Sequence, residues 1–317
     1  MTRRFEARPR NAPRILCIGS ITQDHVYRLD TPLEIGTKHR ARSIGDVGGG
    51  IAANAAVAIS RLGGLASLAG AVCTDPLGDH VLEELRNERI DVERVVRLLA
   101  TATPQSIVIV EPSGARTIVA SSTIDLSIVD PPLLHDVGFA AVMVDARWPD
   151  ATRQALELAH TAGIPGVVDV DRLPTDLDVL TAASHLVFSE AALTELAGTS
   201  DLEAGLRHAA ERFTGHISVT SGERGVRWLD GGTVHHLPAF EVDAVDTTGA
   251  GDVFHGAFAL ALAEGSTEYD AFRFAAATAA VKCSRLGARS GIPRRPDVEE
   301  FLSVRPPTPS CRSRTPR

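Results

Sequence analysis

The sequence predicts a three-layer αβα body with a mostly parallel sheet, carrying a small β lid. Three observations carry that expectation. From residue 139 onward, short apolar runs alternate with amphipathic segments of helical length, which is the rhythm of βαβ units. Two glycine-rich runs, at 48–50 and 249–251, each lead straight into an apolar helical pattern. Two segments, about 24–47 and 100–122, break the rhythm with exposed, partly alternating residues, and fit a sheet projecting from the body.

Taken in order, residues 14–21 (RILCIGSI) read as a buried strand and 24–47 as partly exposed strands. Gly48-Gly49-Gly50 opens an Ala-rich helix over 51–62, closed by Gly63-Gly64. A strand over 65–72 and an amphipathic helix over 77–89 follow. Runs 106–110 and 116–120 flank Glu111-Pro112-Ser113-Gly114, a hairpin signal. The alternation then gives strands at 140–144, 166–170, 185–188 and 216–220, with helices at 151–161, 189–196 and 202–213 and a short one near Leu177. A hairpin pairs 226–229 with 234–237 around Gly231-Gly232, and two helices, 253–263 and 269–284, end the body. The domain is expected over 14–303, between disordered tails at 1–13 and 304–317.

Composition narrows the function. The 317 residues are 44% hydrophobic and 23% charged, enough to bury a large core without disulfides. No apolar run approaches the roughly 18 residues that span a bilayer, so no membrane role is expected. The formal charge is −8, from 32 basic against 40 acidic residues. Residues 1–14 and 304–317 each contribute +4, so the body is strongly acidic, which speaks against a nucleic-acid partner. Cys17, Cys73, Cys283 and Cys311 lie far apart without a CxxC spacing. Free thiols and no recognisable signal peptide predict a cytoplasmic protein.

The chemistry centres on Asp246-Thr247-Thr248-Gly249-Ala250-Gly251-Asp252. Small residues at 249–251 let backbone approach a ligand, and the helix behind them would aim its first N–H groups at developing negative charge. Asp252, at the helix start, is placed to take a proton from a hydroxyl; the competing reading is a plain N-cap. Gly48-Gly49-Gly50, with Asn54 one turn into its helix, superficially resembles a dinucleotide fingerprint. The charged segment before it is not the buried strand that fingerprint needs. Asp24 and Arg147 follow strands at the ligand-binding edge of an α/β sheet. Residues 220–225 follow another strand, as a nucleotide cradle or a turn. No GxxxxGK[ST], HRD/DFG pair, GxSxG or HExxH is present.

GGGIAANAA at 48–56 and DTTGAGDVF at 246–254, in that order and separation, resemble the two signatures of the ribokinase-like (phosphofructokinase B-type) carbohydrate kinases, with similarity over 14–303. The resemblance implies a body with a β lid often used for dimerisation, hence a homodimer, and an ATP-Mg²⁺ donor whose γ-phosphoryl group passes to a sugar hydroxyl. It implies Asp252 as base; Gly249, Ala250 and Gly251 as anion hole; and Asp24, Gly48, Gly49, Gly50 and Asn54 as sugar contacts. Thr220, Ser221, Gly222, Glu223 and Gly225, with Gly251, resemble the nucleotide loop. Ala276, Ala279 and Cys283 belong to the segment resembling the wall beside the adenine. The family's Asn-x-x-Glu is replaced here by Ser189-Glu190-Ala191-Ala192, so no metal ligand is assigned, Glu190 and Glu195 being substitutes. DARWPD (145–150), FSEAALTELAG (188–198) and GARSGIP (287–293) are similar to the branch acting on 6-deoxy-6-sulfofructose. In that branch cations at Lys38 and Arg147 would meet the sulfonate, although Ala120 replaces its Asn. The expectation is phosphorylation of the 1-hydroxyl of this anionic ketose. A kinase of a neutral ketose, a nucleoside kinase and a non-catalytic sugar-binding homologue are the alternatives.

Overall fold

The computed structural model describes residues 12–99, 102–121, 124–132 and 138–305. The expected tails, Cys311, and residues 100, 101 and 122 of the second lid segment therefore fall outside the described residues, except for Ala12, Pro13, Val304 and Arg305. In chain order the elements are β1 (Arg14–Ile18), β2 (Thr22–Leu29), β3 (Ala41–Gly49), α1 (Ile51–Arg61), β4 (Leu65–Cys73), α2 (Pro76–Asn87), β5 (Asp91–Leu98), β6 (Gln105–Val110) and β7 (Arg116–Ser121). Then come β8 (Ala141–Val144), α3 (Pro149–Ala162), β9 (Gly166–Val170), β10 (His185–Ser189), α4 (Glu190–Ala197), α5 (Leu202–Arg212), β11 (His216–Thr220), β12 (Val226–Asp230), β13 (Thr233–Leu237), α6 (Ala250–Ala263), α7 (Glu268–Cys283) and α8 (Arg295–Ser303).

Nine strands form the main sheet in the order β13-β12-β11-β10-β9-β8-β1-β4-β5. All pairings from β11 to β5 are parallel; β12 and β13 close one edge as an antiparallel hairpin. Alternate residues serve opposite faces. Ile15, Cys17, Ala141, Met143 and Val167 pack under α1, α2, α6, α7 and α8, while Leu16, Ile18, Val142, Val144 and Val168 pack under α3, α4 and α5. The chain leaves β1 toward β4 and β5, then returns to β8 on the other side, so the sheet's direction of growth reverses between β1 and β8. Ligand crevices form at the carboxyl ends of strands at such a point.

The second sheet has the order β3-β2-β6-β7. It is formed by the two segments that break the βαβ rhythm. The charged stretch before the first glycine run is a strand after all, but of this outer sheet: β3 extends through Gly49. Two body elements escape the sequence pattern, β5 and α8. β5 sits at the sheet edge and carries Asp91, Glu93, Arg94 and Arg97. The β1 strand is shorter than expected because the chain bends at Gly19-Ser20. Among the described residues no helix is long and apolar enough to cross a membrane, and Cys17 and Cys283 are free.

Candidate active site

Helix α6 starts on Gly249, which takes a left-handed conformation (φ 74°) open to glycine at little cost. The Ala250 N–H is taken by the Thr247 carbonyl (3.2 Å). The N–H groups of Gly251 and Asp252 have no partner within the helix, as at any helix start. The implied anion hole is thus narrower than the Gly-Ala-Gly sequence suggests, since the Ala250 donor is already spent on the turn. Asp252 follows in the first turn of α6, and its Oδ2 accepts a 2.7 Å hydrogen bond from Asn54 Nδ2 on α1.

The glycine run that opens α1 is demanded by crowding. A Cβ on Gly48 would overlap the Arg289 guanidinium, and one on Gly49 the Asp24 carboxylate. Gly50 caps α1 at φ 93°, where a Cβ would overlap the Ser20 carbonyl. Asp24 lies on β2, where Ser106 and Thr22 donate to its Oδ1. Arg289 is buried; its Nη2 donates to the Gly49 carbonyl (3.2 Å) and its Nε to Asn54 Oδ1 (3.4 Å), leaving Nη1 without a hydrogen-bond partner. Asp24, the glycine run, Asn54, Arg289 and Asp252 therefore form one connected site.

Below Asp252 lies an acidic cluster. Burial, helped by Asp169 and Asp171 and opposed by the Asn54 hydrogen bond, pushes Asp252 up to about 7. Burial also carries Asp171 up to about 6 despite the Arg147 guanidinium beside it. His255, buried on α6, contacts Asp169 at 2.9 Å and the Gly251 carbonyl at 2.7 Å. Burial works to lower its basicity, but the Asp169 carboxylate outweighs this and holds it raised. Asp171 Oδ1 is buried with no hydrogen-bond partner. Crowded carboxylate oxygens, one of them orphaned, suit a hard divalent cation such as Mg²⁺. The altered Asn-x-x-Glu segment supplies none of these groups. Ser189 caps α4 and Ala192 is packed in the core, while Glu190 is engaged by Arg224.

The turn before α6 is anchored from beneath. Asp246 accepts from Thr248 N (2.9 Å), Gly287 N (3.1 Å) and Arg28 Nη2 (2.7 Å), and its carbonyl accepts from Lys282 Nζ (2.6 Å). Burial alone would raise its carboxyl; the Thr248, Lys282 and Arg28 contacts win and hold it at about 2. Arg116 on β7 donates to Thr248 Oγ1 (2.9 Å), so the second sheet touches this turn twice.

The other expected residues are spread along the same edge. Thr220 ends β11, and Ser221 through Gly225 form a short turn in which Ser221 Oγ is buried without a hydrogen-bond partner. Gly222 and Gly225 have positive φ, and Glu223 is exposed. Ala276, Ala279 and Cys283 make a half-exposed stripe along α7. Arg147 stands after β8 but is paired with Asp171. Lys38 is exposed in the loop between β2 and β3 and makes no ion pair among the described residues. Lys38 and Arg147 thus stand on separate elements, one in the outer sheet's loop and one at the end of β8. Ala120 lies on β7 opposite Ser106.

Sequence reasoning assigned no role to Arg289, Asp246, Lys282, Arg28 or Asp169. One signal was available for Lys282: a lone lysine inside the apolar helical run of residues 275–283.

Comparison with known proteins agrees with this geometry. The model of the pfkB family of carbohydrate kinases matches residues 12–295. The ribokinase of Bacillus subtilis is 30% identical over 294 residues, covering 91% of this chain and 99% of its own. A fructokinase of Klebsiella pneumoniae is 32% identical over 284 residues, covering 80% of this chain and 91% of its own. The crystal structure of a ribokinase candidate from Agrobacterium tumefaciens matches with a TM-score of 0.88 at 34% identity, over 93% of this chain and 98% of its own. With the family's model covering nearly all of the described residues, and the fold shared throughout, this chain belongs to the pfkB family of carbohydrate kinases and is a sugar phosphotransferase.

Proposed function

We propose that the protein transfers the γ-phosphoryl group of ATP to a primary hydroxyl of a ketose. The observation that carries this reading is the Asp252 carboxylate, half-buried, hydrogen-bonded to Asn54 and set in the first turn of a helix beside the left-handed Gly249. A carboxylate held near neutrality can take the hydroxyl proton as the oxygen attacks. The N–H groups of Gly251 and Asp252 and the dipole of α6 face the phosphoryl group as its charge develops. Asp24, the 48–50 backbone, Asn54 and Arg289 hold the sugar. The turn at 220–225 and the α7 stripe of Ala276, Ala279 and Cys283 hold the nucleotide. The Asp169, Asp171 and Asp252 carboxylates would hold the Mg²⁺ that accompanies the nucleotide, and the ion would offset phosphate charge there.

Within that reaction the leading substrate is 6-deoxy-6-sulfofructose, phosphorylated at its 1-hydroxyl. Support comes from Arg147, which stands at the carboxyl edge of β8 with its buried Nε lacking a hydrogen-bond partner. A neutral ketose is the second reading, favoured by the claim Asp171 already has on that guanidinium. Kinetics with ATP and Mg²⁺ on the sulfonated ketose, fructose and ribose separate the two. A charge-assisted contact of about 1.5–3 kcal/mol is worth roughly one to two decades in kcat/KM. Arg147→Ala is expected to lose that much on the sulfonated ketose and little on fructose. Equal losses on both sugars, or a wild-type preference for fructose, turn the assignment to the neutral ketose. The second sheet is proposed as a homodimer surface, since Ile107 and Val119, paired across β6 and β7, expose apolar surface.

A further inference from the structure

At the opposite end of the sheet from the phosphoryl site, three side chains converge that the kinase reaction does not use. His185 and His216 are the first residues of β10 and β11 and stand in register across the parallel pair. Their rings stack at 4.9 Å between centroids, 14° from parallel. Glu268, the first residue of α7, reaches them from the helix layer. Its Oε1 lies 3.5 Å from His185 Nε2 and 2.5 Å from His216 Nδ1. Despite these short separations, Oε1 is buried and makes no hydrogen bond of acceptable geometry. The three atoms crowd one point without being aimed at each other, all within 4.8 Å. The far nitrogen of His185, Nδ1, is engaged by Ser184 Oγ at 2.8 Å, which fixes the ring and leaves Nε2 facing the cluster. A hydrogen bond behind a ligating imidazole is the usual support of a metal-bound histidine.

We propose that His185 Nε2, His216 Nδ1 and Glu268 Oε1 form a site for one divalent transition-metal ion, zinc foremost, which cross-links the start of α7 to the amino-terminal edge of the sheet. Two imidazoles and a carboxylate are a borderline-soft donor set that suits Zn²⁺ or Co²⁺ and not Ca²⁺. Tetrahedral zinc with bonds near 2.0–2.1 Å sets its ligand atoms about 3.3 Å apart. The His185–Glu268 separation already matches. His216 is half-exposed, so rotation of its ring opens the short edge and closes the long one. Solvent supplies the fourth ligand on that open side. The ion is structural: it pins one end of the helix whose other end carries Lys282 under the phosphoryl turn.

The test uses the full chain without a polyhistidine tag, freed of metal and of nucleotide. Equilibrium dialysis against zinc chloride is expected to give one ion per chain at micromolar or lower free zinc. Cobalt chloride should give the visible d–d band of low-coordinate cobalt, and zinc should raise Tm. Because His185 is buried and its replacement risks misfolding, the variants are the more exposed His216→Ala and Glu268→Gln, checked by circular dichroism. Losing a hydrogen-bond partner behind a ligand typically costs 10–100-fold in metal affinity, so losing a ligand itself should weaken zinc by about a hundredfold or more and abolish the cobalt band. Zinc binding that is unchanged in His216→Ala, no binding by the wild type, or a loss in His216→Ala but not in Glu268→Gln would each overturn the three-ligand site.

Discussion

As the proposed base, Asp252 has to shed most of its water to act on a desolvated hydroxyl, yet desolvation opposes the charge that makes it a base. The structure balances these demands with one donor, Asn54, against two like charges, Asp169 and Asp171, and the outcome is about 7. Below that value the carboxyl is protonated and cannot accept; above it the base is ionised. kcat/KM should therefore rise with pH along a limb centred near 7 and level off above it. Asn54→Ala removes a donor that favours the ionised form, so its limb should move to higher pH. Asp252→Asn should cost at least about two orders of magnitude in turnover while ATP binding, measured by calorimetry, largely survives. Wild-type-like turnover in that variant, or a flat profile between pH 6 and 8, removes Asp252 from the role. Asp252 and the glycine run were legible because motif and need sit together in the chain. Arg289 was not, because the backbone it crowds, at Gly48 and Gly49, is about 240 residues away, and the GARSGIP stretch around it gives no sign of that partner.

Helix α7 shows what an element adds beyond its residues. Its outer stripe of small side chains lines the edge proposed for adenine, and its last turn places Lys282, fully buried, on the Asp246 carbonyl. An ammonium so placed holds the turn that precedes α6. Lys282→Met keeps the side-chain bulk and deletes the charge. Losing a charged hydrogen bond should cost about 1–3 kcal/mol in urea unfolding. If, as proposed, the turn meets the phosphoryl group and not the sugar, kcat should fall with the sugar KM nearly unchanged; a variant of full stability and full kcat makes Lys282 incidental. The parallel strands and most helices were readable from apolar period. β5 was not, since an edge strand needs no apolar outer face and its charges hid it. α8 was masked likewise, with Val298 its one fully buried residue.

At the scale of the whole molecule the second sheet leaves apolar surface unmet. Ile107 and Val119 are roughly half exposed, and every residue of β7 is exposed. Light scattering should find a dimer, and Val119→Asp should yield monomers. A wild-type monomer at micromolar concentration places this sheet's function elsewhere. The segments of this sheet were legible as breaks in the βαβ rhythm, whereas its contacts with the body were not, because they join residues 132 and 218 positions apart.

Those contacts have a consequence. On β2, Asp24 lines the proposed sugar pocket and Arg28, about 13 Å further along an extended strand, grips Asp246. From β7, Arg116 grips Thr248. Anything that orders the sheet over a sugar must also settle the turn that meets the phosphates. The two substrates then share one coupling free energy: if sugar tightens ATP by some factor, ATP tightens sugar by the same factor, and cutting the Arg28–Asp246 bond should shrink both factors together.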